Sequence, residues 1–139
     1  MIPILFPSKK TILCMDDDPA ILCYETALLE RSGYAVLTAA SRRQGLRFVA
    51  TCYCDAVLLG YEMAGMNGHD IAFQIKLIRP ELIVILVSGR EVPTQALALV
   101  DAFVPKLATS RQLLPMIAEL CGRSPDANRK QESQREDRY

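Results

Sequence analysis

The stretch "DAVLLGYEM", residues 55–63, decides the fold. Its apolar run faces neither water nor a single packing surface. Such a run suits a central strand of a parallel sheet covered on both sides by helices. The run stops at Gly60, and an acidic residue, Glu62, follows almost at once. A buried strand that ends this way often delivers a reactive side chain from its last position, and glycine has none to deliver.

On either side the segments alternate. "TILCM" (11–15) reads as a strand, followed by a helix with Asp18 as N-cap, Pro19 at its first position and Gly33 as its stop. Ile21, Leu22, Leu28 and Leu29 supply the helix's buried face. "YAVLTA" (34–39) is a second strand, and Ser41 caps a helix over 41–52. Beyond "DAVLLG", Ile71, Ile75 and Ile78 recur at helical spacing until Pro80 ends the helix. "LIVILVS" (82–88) is the clearest strand, "PTQALALV" gives a short helix, and "DAFV" (101–104) is the last strand. The final helix lies near 110–121, with an irregular or late start because Pro115 sits inside it. Five βα units with right-handed crossovers bury a five-stranded parallel sheet between two helical layers.

The chain has 139 residues, enough for one domain with a proper core. Residues 1–10 read as an N-terminal extension, 11–121 as the domain, and 122–139 as a disordered polar tail with no aliphatic run. Sixteen basic residues balance sixteen acidic ones, so charge gives no reason to expect nucleic-acid or acidic-membrane binding. No apolar run approaches a membrane span, and the N-terminus has the wrong order for a secretory signal, so a cytoplasmic location is expected. Five scattered cysteines, none in CxxC spacing, read as buried reduced thiols rather than a metal site.

In sheets of this kind the site lies at the carboxyl ends of the strands. There the sequence places Asp16, Asp17 and Asp18 after strand one, and Gly60 then Glu62 after strand three. Ser88 ends strand four, and Lys106 follows strand five. Carboxylates that hold a hard cation, with a hydroxyl and an ammonium for phosphoryl oxygens, are the parts of a phosphoryl-transfer site.

Five stretches in order, "ILCMDDDP", "RSGYAV", "DAVLLGYEMAGMNG", "ILVSG" and "DAFVPK", make residues 11 to about 121 resemble a response-regulator receiver domain of two-component signalling. The resemblance implies a flavodoxin-like (βα)5 fold and a place in phosphorelay signalling. It matches Asp16 and Asp17 to the acidic pair that positions Mg²⁺, and Glu62 to the position whose backbone carbonyl reaches the metal. Ser88 and Phe103 match the switch hydroxyl and the aromatic residue that follows it, and Lys106 the lysine that contacts the phosphoryl group. Gly60 falls on the phosphoacceptor aspartate.

Glycine cannot form an acyl phosphate, and a metal ligand is lost with it, so Mg²⁺ is expected to bind weakly. Ala64 and Leu107 replace prolines common in the family, and the short interval from Ser88 to Lys106 puts a full fourth helix in doubt. With Gly60 in place, Lys106 is expected to act as counter-ion to the acidic pocket and Phe103 to pack in the core or at an interface. The reading is a stand-alone pseudo-receiver, not an enzyme, that works by contact with a histidine kinase or another signalling protein. Nucleic acid and membrane are not expected partners, and the resemblance leaves room for a homodimer. A displaced acceptor, Glu62 or Asp17, is the alternative. A Mg²⁺-dependent phosphatase-like hydrolase is less favoured, because "MDDDP" lacks the DxDx[TV] pattern. Asp55 lies too far away to serve, about 17 Å along strand three at the usual rise.

Overall fold

Side-chain carboxylates hold the first backbone amides of two strands, Asp55 at the start of the first and Asp101 near the start of the fourth of the main sheet. In the computed structural model, which describes residues 9–63 and 66–122 (the backbone alone at 66 and 67), β1 spans Thr11–Met15. The Thr11 amide donates to Asp55 Oδ2 at 2.7 Å, and Tyr53 Oη donates to Oδ1 at 2.9 Å. Asp55 therefore fastens the amino-terminal edge of the sheet. Residues 1–8, the turn residues Ala64 and Gly65, and the tail from 123 lie outside the described residues.

Asp18 accepts from the Ala20 amide at 2.9 Å and starts α1 (Pro19–Arg31), which closes through Gly33 at φ 91°. β2 (Ala35–Ala39) follows. Ser41 Oγ then accepts from the Gln44 amide at 3.2 Å to start α2 (Arg42–Thr51). Gly45 of α2 is buried because the Met15 thioether fills the space a Cβ would need. That contact lets α2 lie close on β1.

β3 is Ala56–Gly60, buried at every position. After it the chain makes a small antiparallel hairpin, β4 (Glu62–Met63) and β5 (Met66–Asn67), which the sequence did not announce. Then come α3 (Gly68–Ile78), β6 (Ile83–Ser88), α4 (Thr94–Leu97), β7 (Ala102–Pro105), a 3-10 turn (Lys106–Ala108) and α5 (Thr109–Cys121). The main sheet runs β2-β1-β3-β6-β7, all parallel, which is the flavodoxin-like order once the hairpin is set aside.

Strand alternation divides the core in two. Leu13, Met15, Val57, Leu59, Val84 and Leu86 face Val49 of α2 and Ile71 and Ile75 of α3. Ile12, Cys14, Leu58 and Ile85 face Leu29 of α1 and Leu113 and Ile117 of α5. Across the foot of β6 and β7, Lys76 Nζ reaches Asp101 Oδ2 at 2.8 Å, and the same oxygen accepts from the Val84 amide at 2.8 Å.

Three expectations need correction, and a fourth holds. Ile78 is 44% exposed, since α3 ends there and its last turn projects past the sheet. Only Cys14 and Cys54 are buried, because Cys23 lies on the outer face of α1 and Cys52 and Cys121 close helices. α5 starts at Thr109, without a delay: Pro115 is exposed, and water can satisfy the Arg111 carbonyl that its ring leaves without a partner. The fourth helix has four residues, as the short Ser88–Lys106 interval implied.

Leu59 is fully buried in the α2–α3 half of the core. Leu59→Ala is expected to lower unfolding free energy by about 3 kcal/mol, read in urea as a lower midpoint at unchanged slope. A loss below about 1 kcal/mol would contradict that packing.

Candidate functional site

The β1–β3 register fixes which side chains meet at the head of the sheet. Ile12 pairs with Ala56 and Cys14 with Leu58, on the face that α1 and α5 cover. One step further along the same face, Asp16 stands beside Gly60. They line a cavity of about 160 Å³ with Glu62, Ser88, Arg90 and Lys106.

The Asp16 carboxylate has moved into the space residue 60 leaves free. A Cβ on Gly60 would collide with Asp16 Oδ2 and lie 3.0 Å from its Cγ and 3.3 Å from the Met15 carbonyl. Asp16 Oδ1 accepts from the Asp18 amide at 2.9 Å, and the Asp16 amide donates to the Ala39 carbonyl at 3.1 Å. With 6% exposure, burial raises the Asp16 carboxyl above its ordinary pKa. The Asp18 amide and the Lys106 ammonium oppose that rise, while Asp17 and Asp18 add to it.

The other expected residues divide between the pocket and its rim. Ser88 is buried, and its hydroxyl accepts from the Arg90 amide at 3.0 Å and donates to the Arg90 carbonyl at 3.0 Å. Lys106 opens the 3-10 turn, whose carbonyl accepts from Thr109 Oγ1 at 2.8 Å. Glu62 is exposed and paired with Arg90 at 3.1 Å, a surface ion pair that contributes little stability. Asp17 is exposed on the loop before α1. Phe103 is half-buried and packs against the core rather than lining the cavity.

Glu25 was not foreseen. It is 3% exposed on α1, one turn from Ile21 and one turn from Leu29 on the covered face. Its position in that apolar stripe was the signal available in the sequence. Burial pushes its carboxyl up to about 8; Asp16 adds to the rise, while Lys106 and a hydrogen bond with Cys14 reduce it. Lys106 also lines the apolar groove of about 170 Å³ between α1 and α5 on which Glu25 borders.

These residues fit a magnesium ion poorly. One Asp16 oxygen is engaged by the Asp18 amide and the other occupies the space beside Gly60. Among the described residues no group of three carboxylate, histidine or cysteine side chains is placed to hold a metal.

The sequence profile of the response regulator receiver domain matches residues 12–118. The chain belongs to this family. A receiver domain protein from Methanospirillum hungatei has the same fold with a TM-score of 0.77 and 30% identity, covering 89% of this chain and 99% of that one. The response regulator TrrA from Thermotoga maritima, solved in complex with Mg²⁺–BeF, superposes with a TM-score of 0.76 at 26% identity, over 80% of this chain and 98% of its own. Among curated proteins the receiver is 31% identical to the DNA-binding transcriptional regulator NtrC of Azospirillum brasilense, over 79% of this chain and 24% of that protein. It is 28% identical to the response regulator MprA of Mycolicibacterium vanbaalenii, over 83% of this chain and 52% of that protein. The receiver thus spans about a quarter and about half of these two relatives. No described helix is long and apolar enough to cross a membrane.

Two measurements test this geometry. In Gly60→Ala the new methyl group displaces Asp16, at a cost of about 1–2 kcal/mol. In an Asp16→Ala background the same change should be neutral or stabilising, since alanine restricts the unfolded chain more than glycine does. Additive effects in that double-mutant cycle would mean that the two residues are not in contact. Glu25 supplies the second test. Its folded pKa lies above its unfolded value of 4.5, so the folded state binds its proton more tightly. The stability this provides is complete below pH 4.5 and lost as pH rises towards 8. Glu25→Gln should match the parent near pH 5 and exceed its Tm by about 5 °C near pH 8. A constant difference across that range would mean that Glu25 ionises normally.

Proposed function

We propose that this chain is a pseudo-receiver: a receiver-fold signalling module that acts by protein contact and carries no phosphoryl group at residue 60. One observation supports the reading above the others. Gly60 ends β3 in the position that the resemblance assigns to the phosphoacceptor, within one cavity beside Asp16, Ser88 and Lys106. Those neighbours are the residue types of a phosphoryl site, and glycine removes the nucleophile without adding the negative charge that would imitate its phosphorylated form. In this reading Mg²⁺ binds weakly at best, because both Asp16 oxygens are already engaged, and Lys106 serves chiefly as counter-ion to the acidic pocket.

The partner is a histidine kinase or another protein that ordinarily engages a receiver. By occupying the surface without taking part in the usual reaction, the module competes with a complete receiver for that partner. The displaced acceptors considered from sequence, Glu62 and Asp17, gain no support, since one is exposed and paired with Arg90 and the other is exposed on its loop. A hydrolase is not favoured either: of the two hydroxyl side chains lining the cavity, Ser88 is closed on Arg90 and Tyr61 packs its ring against the core.

The test is calorimetric binding of the untreated protein to a panel of histidine-kinase phosphotransfer domains from the same genome. At least one should bind with a micromolar Kd, and a complete receiver of the same system should displace it. Absence of binding across the panel, or binding that a complete receiver does not displace, counts against the reading.

A further inference from the structure

The Gly60 vacancy is occupied, and its occupant is a carboxylate. Asp16 Oδ2 lies about as far from where the Cβ of residue 60 would be as the oxygens of that residue's own carboxylate would. Alternation and register account for this, since Asp16 and Gly60 are cross-strand neighbours on one face. The second Asp16 oxygen is held by the Asp18 amide, which fixes the orientation of the first. Ser88 and Lys106 line the same cavity. We propose that Asp16 is a phosphoacceptor, the reactive carboxylate having been transferred from the third strand of the sheet to the first. This goes beyond contact signalling, and either can hold without the other.

The reaction is a phosphoryl transfer from an acyl phosphate or an N-phosphoimidazole. Asp16 Oδ2 attacks phosphorus and forms the new O–P bond. The bond from phosphorus to the donor's oxygen or nitrogen breaks, and the leaving group departs with that electron pair, imidazole taking a proton from water. The Lys106 ammonium meets the phosphoryl charge, and the Ser88 hydroxyl leaves the Arg90 carbonyl to donate to a phosphoryl oxygen. No oxidant or reductant is needed. Among the carboxylates expected at the strand ends, Glu62 is tied to Arg90 at the cavity wall and Asp17 is exposed, while Asp16 fills the vacancy.

The full chain is incubated with acetyl phosphate in a magnesium-containing buffer, quenched, and reduced with borohydride, which converts an aspartyl phosphate to homoserine. Peptide mass spectrometry should then place homoserine at residue 16. Asp16→Asn, checked for folding by circular dichroism, should lower the label at least tenfold. In Gly60→Asp the label should move to residue 60, because the restored side chain displaces Asp16. Homoserine at 17, 62 or elsewhere in the unmodified protein overturns the proposal. So does no label in the unmodified protein, whether or not Gly60→Asp is labelled, while kinase binding by the untreated chain would still uphold the contact reading.

Discussion

The pairing of β1 with β3 is the constraint on which the rest of the molecule depends. Parallel pairing with Ile12 opposite Ala56 puts alternate residues of two central strands on one face, so whatever follows Cys14 stands beside whatever follows Leu59. A slip of one residue would send Asp16 to the α2–α3 face and exchange the apolar sets that now pack on the two faces. The core therefore enforces the geometry of the site: the side chains that hold the sheet between its helical layers also decide that a carboxylate meets a glycine.

Charge at the head of the sheet is arranged by the same economy. Among the described residues Lys106 is the one cation that acts on both Asp16 and Glu25, and it lines both the cavity and the neighbouring groove. Two buried carboxyls sharing one partly exposed ammonium cannot both be fully stabilised as anions. Burial raises both, the Asp16 charge adds to the rise at Glu25, and Glu25 is the more strongly affected. The groove beside the cavity is therefore less negative near neutral pH than its residue types suggest, because Glu25 keeps its proton there.

The fold was largely legible because its signals were local. Apolar runs gave the strands, Asp18 and Ser41 gave the helix starts, and the order of the βα units gave the sheet. The strand-end rule groups Asp16, Gly60, Glu62, Ser88 and Lys106, and the five line one cavity. What escaped depended on side chains crossing between elements. Glu25 resembles a surface charge unless its turn-by-turn neighbours Ile21 and Leu29 are weighed with it. The Asp16 carboxylate entering the Gly60 space follows from cross-strand register rather than from any pattern within one segment. Ile78 continues a helical stripe on paper but lies past the edge of the sheet.

The short α4 has a mechanical consequence. A helix of four residues is about 6 Å long, a poor lever for turning a small movement at a strand end into a large one elsewhere. Ser88 precedes it across a loop and is latched to Arg90. Any displacement at Ser88 is thus absorbed in the intervening backbone instead of swinging a rigid rod. The longer rigid element next to the cavity lies the other way, where Lys106 leads through the 3-10 turn into the thirteen residues of α5, a rod about 20 Å long.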